Sequence, residues 1–289
     1  MAVDERKVAL ITGCSEPISL GANTALALHE RGYRVFASAR NIKTLEPLRV
    51  QGLDVLALDV TSEESIAAAV ETITAAAGRL DVLVNNAGVA GRAAIVDADM
   101  DRVRAMFEVN VFGPMALTSA LAPLLVAARG ASGRDSVVVN IGSGVVLGYP
   151  FLGAYSASKA ALQTWSDTLR RELSALHVKV ITVELMLVRT ALGKGEKPFV
   201  VVKDKPLGLY DWAGIVAYIK TVMGGAANHT ATTSEDAARD IVKAIVAPNP
   251  PGKLWTGGGT FLARWVVPFL PRWYVDFKLC KMFGKGKAW

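Results

Sequence analysis

Tyr155 and Lys159 stand four residues apart in Gly153-Ala-Tyr-Ser-Ala-Ser-Lys-Ala-Ala161, a spacing that on a helix sends both side chains off one face. The pair can do acid–base chemistry. A phenol is a weak acid, with a reference pKa of about 10. An ammonium about 4 Å away favours the phenolate by up to roughly 4 kcal/mol at an effective dielectric of about 20. At about 1.4 kcal/mol per pKa unit, that brings the tyrosine towards pH 7, where a general acid or base works best. Tyr and Lys at this spacing also occur on ordinary solvated helices, so the pair needs company. Ser143 lies twelve residues upstream, closing the apolar run Ser136-Val-Val-Val-Asn-Ile-Gly-Ser143. A strand ending there would present its hydroxyl beside the phenol. Asn110, in Phe107-Glu-Val-Asn-Val-Phe-Gly113, falls on a preceding apolar helix.

Short β-rich runs at 7–12, 34–38, 55–59, 82–85, 136–141 and 179–184, with a last one at 253–256, must carry these residues. Each is rich in Val, Ile or Leu, the pattern of strands buried on both faces. Helical stretches near 21–31, 62–77, 100–128 and 153–176 alternate with them, and another resumes at 234–246. Pro114 and Pro123 should bend or interrupt the third helix. Alternating βα units predict an α/β fold, a doubly wound parallel sheet of the Rossmann type that binds ligands at the carboxyl ends of its strands. The rhythm stops between 190 and 233.

No Pro/Ser-rich linker or charge run divides residues 7–250 of the 289, so one domain, 1–256, followed by a tail, 257–289, is expected. Two distant cysteines, Cys14 and Cys280, do not make a disulfide framework and suit a reducing, cytoplasmic setting. Cys14 reads as a packing residue. Three His and no paired Cys/His spacing give no metal site. A strand begins within seven residues of Met1, so no secretory signal is expected.

The tail from Gly252 carries seven Lys or Arg against Asp276 alone, and the whole chain's formal charge is +6. The core is therefore neutral overall, which disfavours nucleic acid as a partner. Four of the six Trp lie in this tail, interleaved with the cations. Such a pattern suits an in-plane membrane contact; equally, Trp265, Phe269 and Trp273 could cover a substrate cleft or a subunit interface. Pro268 and Pro271, and the lack of an uncharged run of about 18 residues in the tail, argue against a span there.

Together Thr12-Gly13, Asn85-Asn-Ala-Gly88, Asn110, Ser143, Tyr155 and Lys159 resemble the short-chain dehydrogenase/reductase family over about 7–253. The resemblance implies that Tyr155 protonates a carbonyl oxygen and Ser143 positions it. Lys159 would lower the Tyr155 pKa and hold the nicotinamide ribose, and Asn110 would anchor a water in a proton relay. The Ser143–Tyr155 separation is one residue shorter than usual. The segment Thr12-Gly-Cys-Ser-Glu-Pro-Ile-Ser-Leu-Gly21, a small-residue loop before a helix, can face a pyrophosphate with backbone N–H groups. Gly13, Ser15, Ser19, Leu20 and Gly21 are its cofactor-facing candidates. The loop is two residues longer than the family's, with Ser19 in place of the middle glycine. A similar loop occurs in enoyl-reductase relatives, whose Tyr and Lys are spaced differently. After the second strand, Ala37-Ser-Ala-Arg-Asn41 lacks the acid that an NAD site uses. Ser38 and Arg40 could instead bind a 2′-phosphate, favouring NADP(H). Asp59 and Val60 resemble the adenine contact, and Asn86, Ala87 and Gly88 the floor under the adenine ribose. Val188 and Thr190 match the carboxamide-binding pair, but Leu185-Met186 replaces the usual Pro-Gly.

In that family the 190–233 segment forms a substrate lid. Here it is apolar and aromatic with interspersed lysines, suiting a hydrophobic carbonyl compound; the lysines can anchor an anionic head or solvate the loop. The opening Thr-Gly-Cys-Ser, the Phe36-Ala-Ser-Ala-Arg-Asn41 run and the Leu270-Pro-Arg-Trp273 tail resemble fungal NADPH-dependent 1-acyldihydroxyacetone-phosphate reductase-like proteins. Related ketoreductases act in fungal natural-product pathways. The resemblance implies homodimers or homotetramers packed through the helices of Asn110 and Tyr155, and placement on endoplasmic reticulum or lipid bodies. Two rival readings stand beside the reductase: a scaffold holding NADP(H) without redox turnover, and a membrane-docked interaction protein.

Overall fold

The protein's computed structural model describes residues 5–189, 199–200 and 231–283. Seven strands, β1 (Val8–Ile11), β2 (Arg34–Ala39), β3 (Asp54–Ala57), β4 (Val82–Asn85), β5 (Ser136–Ile141), β6 (Val178–Leu185) and β7 (Lys253–Thr256), form one sheet. Its order is β7-β6-β5-β4-β1-β2-β3 and every pairing is parallel. The expected strands are all present, their ends displaced by a residue or two. Neighbouring residues of β1 serve opposite faces. Ala9 and Ile11 pack against α1 (Leu20–His29) and the later α6 (Ser234–Val246), whereas Val8 and Leu10 face α2 (Glu63–Ala77) and α4 (Gly113–Ser132). Burying each Leu or Ile in these layers contributes about 1.5–3 kcal/mol, so both faces anchor the strand ends that bear the candidate residues.

The third predicted helix is divided. Met100–Phe107 (α3) is α-helical, Glu108–Phe112 forms a π turn, and α4 resumes at Gly113. Pro114 has no N–H to continue the ladder. A Cβ on Gly113 would sit 2.8 Å from Val60 Cγ2 and 3.0 Å from Val60 O, so α4 starts hard against the end of the β3 connection. Pro123, expected to interrupt the helix, lies inside an unbroken α4. The run 100–130 has the length and hydropathy to cross a membrane, yet half of its apolar 18-residue window is buried in the fold. Helix α5 covers Gly153–Leu173 and ends in a short 3-10 turn.

Outside the main sheet, Gly91–Arg92 pairs with Phe199–Val200 and Val188–Arg189 pairs with Thr232–Thr233, both parallel. The rest of the expected lid, with Thr190, lies outside the described residues. The tail folds as α7 (Thr260–Trp265), a 3-10 turn and α8 (Arg272–Phe283). Trp265, Phe269 and Trp273 are 56%, 79% and 70% exposed.

Candidate active site

Ser143 follows the end of β5. A Cβ on Gly142 would lie 2.8 Å from Val183 O, so the β5 and β6 backbones close together immediately before it. Its Oγ then caps the 3-10 turn Gly144–Leu147, accepting from the Val145 N–H at 3.4 Å. Tyr155 lies in the first turn of α5 and Lys159 one turn later, both buried. The Ser143 hydroxyl stands near enough to the Tyr155 phenol to favour its ionised form. The Lys159 amine donates to Ile141 O at 2.8 Å and stands 5.9 Å from the Tyr155 ring centre.

Asn110 reaches the same place because the π turn aims it inward, a common use of such turns. Its Nδ2 donates to Val89 O, and its Oδ1 accepts from Val89 N–H, both at 2.8 Å. Nδ2 also donates to Ser158 Oγ at 3.0 Å, and that hydroxyl donates to Tyr155 O at 2.8 Å. Asn110 thus brackets the exit of β4 to the helix of the tyrosine. Gly88 lets the chain pass between: a Cβ there would meet Asn110 Oδ1 at 3.2 Å and Lys159 Nζ at 3.6 Å. The structure therefore brings Asn110, Ser143, Tyr155, Lys159 and Gly88 into one cluster.

The electrostatics differ from the sequence expectation. Burial raises the Tyr155 pKa above that of a free phenol, and the nearby Ser143 hydroxyl offsets part of the rise. Burial also lowers Lys159 to about 8. Desolvation penalises the charged form of each. The phenol therefore stays protonated at neutral pH rather than being drawn towards 7 by its neighbour.

A polar layer beneath the cluster was not foreseen. Asn85 Nδ2 donates to Asn140 Oδ1 (2.8 Å) and Thr118 Oγ1 (3.0 Å), and Asn140 Nδ2 donates to Ser166 Oγ (2.9 Å). All four are buried. Their signal was Asn140 itself, an amide inside a valine strand, because buried polar groups demand partners.

The β1–α1 loop is held by backbone contacts. Gly13 has φ +74°, and a Cβ on it would lie 2.9 Å from Ala87 Cα. A Cβ on Gly21 would meet Asn86 Nδ2 at 2.5 Å and Gly13 O at 2.8 Å. Thr12 Oγ1 accepts from the N–H groups of Asn86 and Ala87, both at 2.9 Å, and Asn86 Nδ2 donates to Thr12 O (2.7 Å) and Gly13 O (3.1 Å). Ser19 Oγ caps α1, accepting from Ala22 N–H; Ser15 is exposed and Leu20 buried. The Cys14 thiol donates to Ile11 O and is pushed up to about 12 by burial, an inert packing group.

At the end of β2, the Ser38 hydroxyl turns into the sheet and donates to Ile11 O at 3.1 Å. A phosphate there would meet Arg40, which is exposed, and not that hydroxyl. Asp59 accepts from the N–H and hydroxyl of Thr61, and Val60 is buried. Val188 is half-buried against Gly257. Among the described residues no cluster of His, Cys, Asp or Glu could hold a metal. The glycine loop, the helix start and the buried cluster lie at the carboxyl ends of adjacent strands, where a dinucleotide fits.

Comparison with known proteins agrees with this geometry. The family model for short chain dehydrogenase matches residues 7–199. The chain is 36% identical over 285 residues to the short-chain dehydrogenase ptmH of Penicillium ochrochloron, covering 97% of this chain and 99% of that protein. It is 34% identical to the short-chain dehydrogenase virD of Hypocrea virens, over 98% of this chain and 95% of that one. A crystal structure of a short-chain dehydrogenase from Streptomyces avermitilis superposes with TM-score 0.75 at 30% identity, covering 98% and 99% of the two chains. The chain belongs to the short chain dehydrogenase family, oxidoreductases that use a nicotinamide cofactor.

Proposed function

We propose that this chain is an NADPH-dependent carbonyl reductase acting on a hydrophobic ketone, a lipid-like or fungal secondary-metabolite compound. The observation that carries the reading is the buried Ser143–Tyr155 hydroxyl pair with the Lys159 amine behind it. When bound, NADPH supplies a hydride to the carbonyl carbon. Ser143 and Tyr155 both hold the carbonyl oxygen. As the C=O π pair moves onto that oxygen, Tyr155 would give it a proton, so that the ketone becomes an alcohol and the phenol is left as phenolate to be reprotonated. Keeping the phenol protonated suits this direction. Lys159 has three donors, one occupied by Ile141 O; the others are available for ribose hydroxyls. Arg40, with no carboxylate between Ala37 and Asn41, favours the 2′-phosphate.

NADPH absorbance followed across a ketone panel tests this. Tyr155→Phe should lower kcat about 100-fold or more while the NADPH Kd changes little. Near-normal turnover would remove the phenol from its role. Wild-type protein that binds NADPH but consumes none of it with any ketone would favour the scaffold.

A second reading concerns placement. Phe261, Trp265, Phe269, Trp273 and Phe277 are each more than half exposed, and Arg264, Lys278 and Lys281 lie against neighbouring rings. This supports a tail lying in the plane of an anionic bilayer, as on endoplasmic reticulum or lipid bodies. Flotation with phosphatidylserine vesicles should fall at least several-fold in a Trp265→Ser/Phe269→Ser/Trp273→Ser variant. Equal flotation excludes the tail. The family resemblance also supports a second copy packed through the helices of Asn110 and Tyr155; sedimentation as a monomer would remove it.

A further inference from the structure

Met186 stands where the family resemblance puts the glycine of Pro-Gly, and its side chain lies over the serine turn. Gly144, next to Ser143, is buried. A Cβ on Gly144 would run into the Met186 thioether, with Met186 Cε 3.0 Å away. The sulfur therefore rests against the first residue of the turn that Ser143 caps.

The backbone holding Met186 is clamped. Its N–H donates to Thr256 O at 2.8 Å. Leu187 N–H donates to Gly258 O at 3.3 Å, and Gly258 N–H donates back to Leu187 O at 2.9 Å. Gly257, at φ +101°, fits between: a Cβ there would lie 3.2 Å from Met186 N and 3.1 Å from Met186 C. A side chain on so fixed a base cannot retreat by moving its main chain. It can only change rotamer.

The consequence is steric. Beyond Ser143, at the carboxyl ends of β5 and β6, is the space into which a carbonyl compound must bring one substituent when its oxygen meets Ser143 and Tyr155. We infer that Met186 is a specificity-determining residue whose thioether limits the size of the ketone substituent on the Ser143 side. The inference rests on the carbonyl-reductase reading. It adds to it the rejection of long or branched groups at that position. Each methylene accommodated or refused in an apolar pocket changes kcat/KM by about 10- to 200-fold.

Acetophenone and butyrophenone, whose alkyl arms differ by two methylenes, are the probes. Met186→Ala should raise the butyrophenone-to-acetophenone ratio of kcat/KM at least about tenfold, chiefly through KM for the longer ketone. Gly144→Ala should lower kcat/KM for both, because its new methyl pushes the thioether away from the serine turn and into the space the ketone must enter. Adding Met186→Ala to it should restore most of the loss. An unchanged ratio, or a double variant no better than Gly144→Ala, overturns the inference. If Gly144→Ala does not fold, the Met186→Ala ratio decides alone. Calorimetric binding of both ketones to the NADPH complexes of Tyr155→Phe and Tyr155→Phe/Met186→Ala separates the two levels. Absent wild-type turnover with a shifted binding preference defeats the reductase and keeps Met186. Normal turnover with no shift, or no ketone binding to either complex, defeats the assignment to Met186.

Discussion

The carboxyl ends of β5 and α5's first turns treat polar groups in the opposite way to the carboxyl ends of β1 and β2. In the first region, side chains do the work and are buried in mutual hydrogen bonds: Asn110, Ser143, Tyr155, Ser158 and Lys159, above Asn85, Asn140 and Ser166. In the second, backbone and glycine make the site, and the cation beside it, Arg40, is exposed. Proton transfer needs donors held in place and shielded from water, which a buried network provides. A pyrophosphate and a 2′-phosphate need N–H groups and a cation that can be approached, which a glycine loop provides.

Substitutions can break that contrast. Arg40→Ala should raise the NADPH Kd by about 10- to 100-fold, the loss of one charge-assisted contact of about 1.5–3 kcal/mol. The NADH Kd and the melting temperature should hardly change; fluorescence titration with both cofactors decides it. Equal weakening of both would detach Arg40 from the phosphate. Asn140→Ala, in the other region, should instead act on stability. It leaves the Asn85 amide and Ser166 hydroxyl short of a partner, at a cost of about 1–3 kcal/mol measurable by urea denaturation. A stable variant would show that the layer under the tyrosine is not cooperative.

The smallest effect is on pH dependence. Lys159 titrates at about 8, below an ordinary lysine. Between about 8 and the unfolded value near 10.4, the unfolded chain holds a proton that the folded chain has released. Stability from this group is thus complete above that window and is lost as pH falls through 8. Activity runs the other way if the lysine cation supports catalysis: ketone reduction should be level between pH 6 and 8 and decline above. Lys159→Arg, always charged, should flatten that decline in a kcat–pH profile. An unchanged profile would show that the lysine's charge does not matter.

Most of the sheet was legible because each strand is a short Val/Ile/Leu run buried on both faces, and such runs stand out. Tyr155 and Lys159 were legible because helix spacing alone puts them on one side. Three things were not. The π turn at Asn110 depends on the meeting of Pro114 with Gly113 against Val60, a contact from a distant strand connection. The inward turn of Ser38 depends on the neighbouring Ile11 carbonyl. The titration of Tyr155 and Lys159 depends on burial, which overrode the attraction that spacing suggested. Leu185-Met186 was read only as a departure from Pro-Gly; its partner, Gly144, is adjacent in space and far away in sequence.

The strap from Thr256 to Gly258 sets a practical limit on trimming the chain. A cut after Gly259 would take away α7 and α8 and leave every bond to Met186 and Leu187 in place. One made a few residues earlier would loosen a wall of the reaction chamber as well, so a dead truncation ending before 256 would say nothing about what the tail is for.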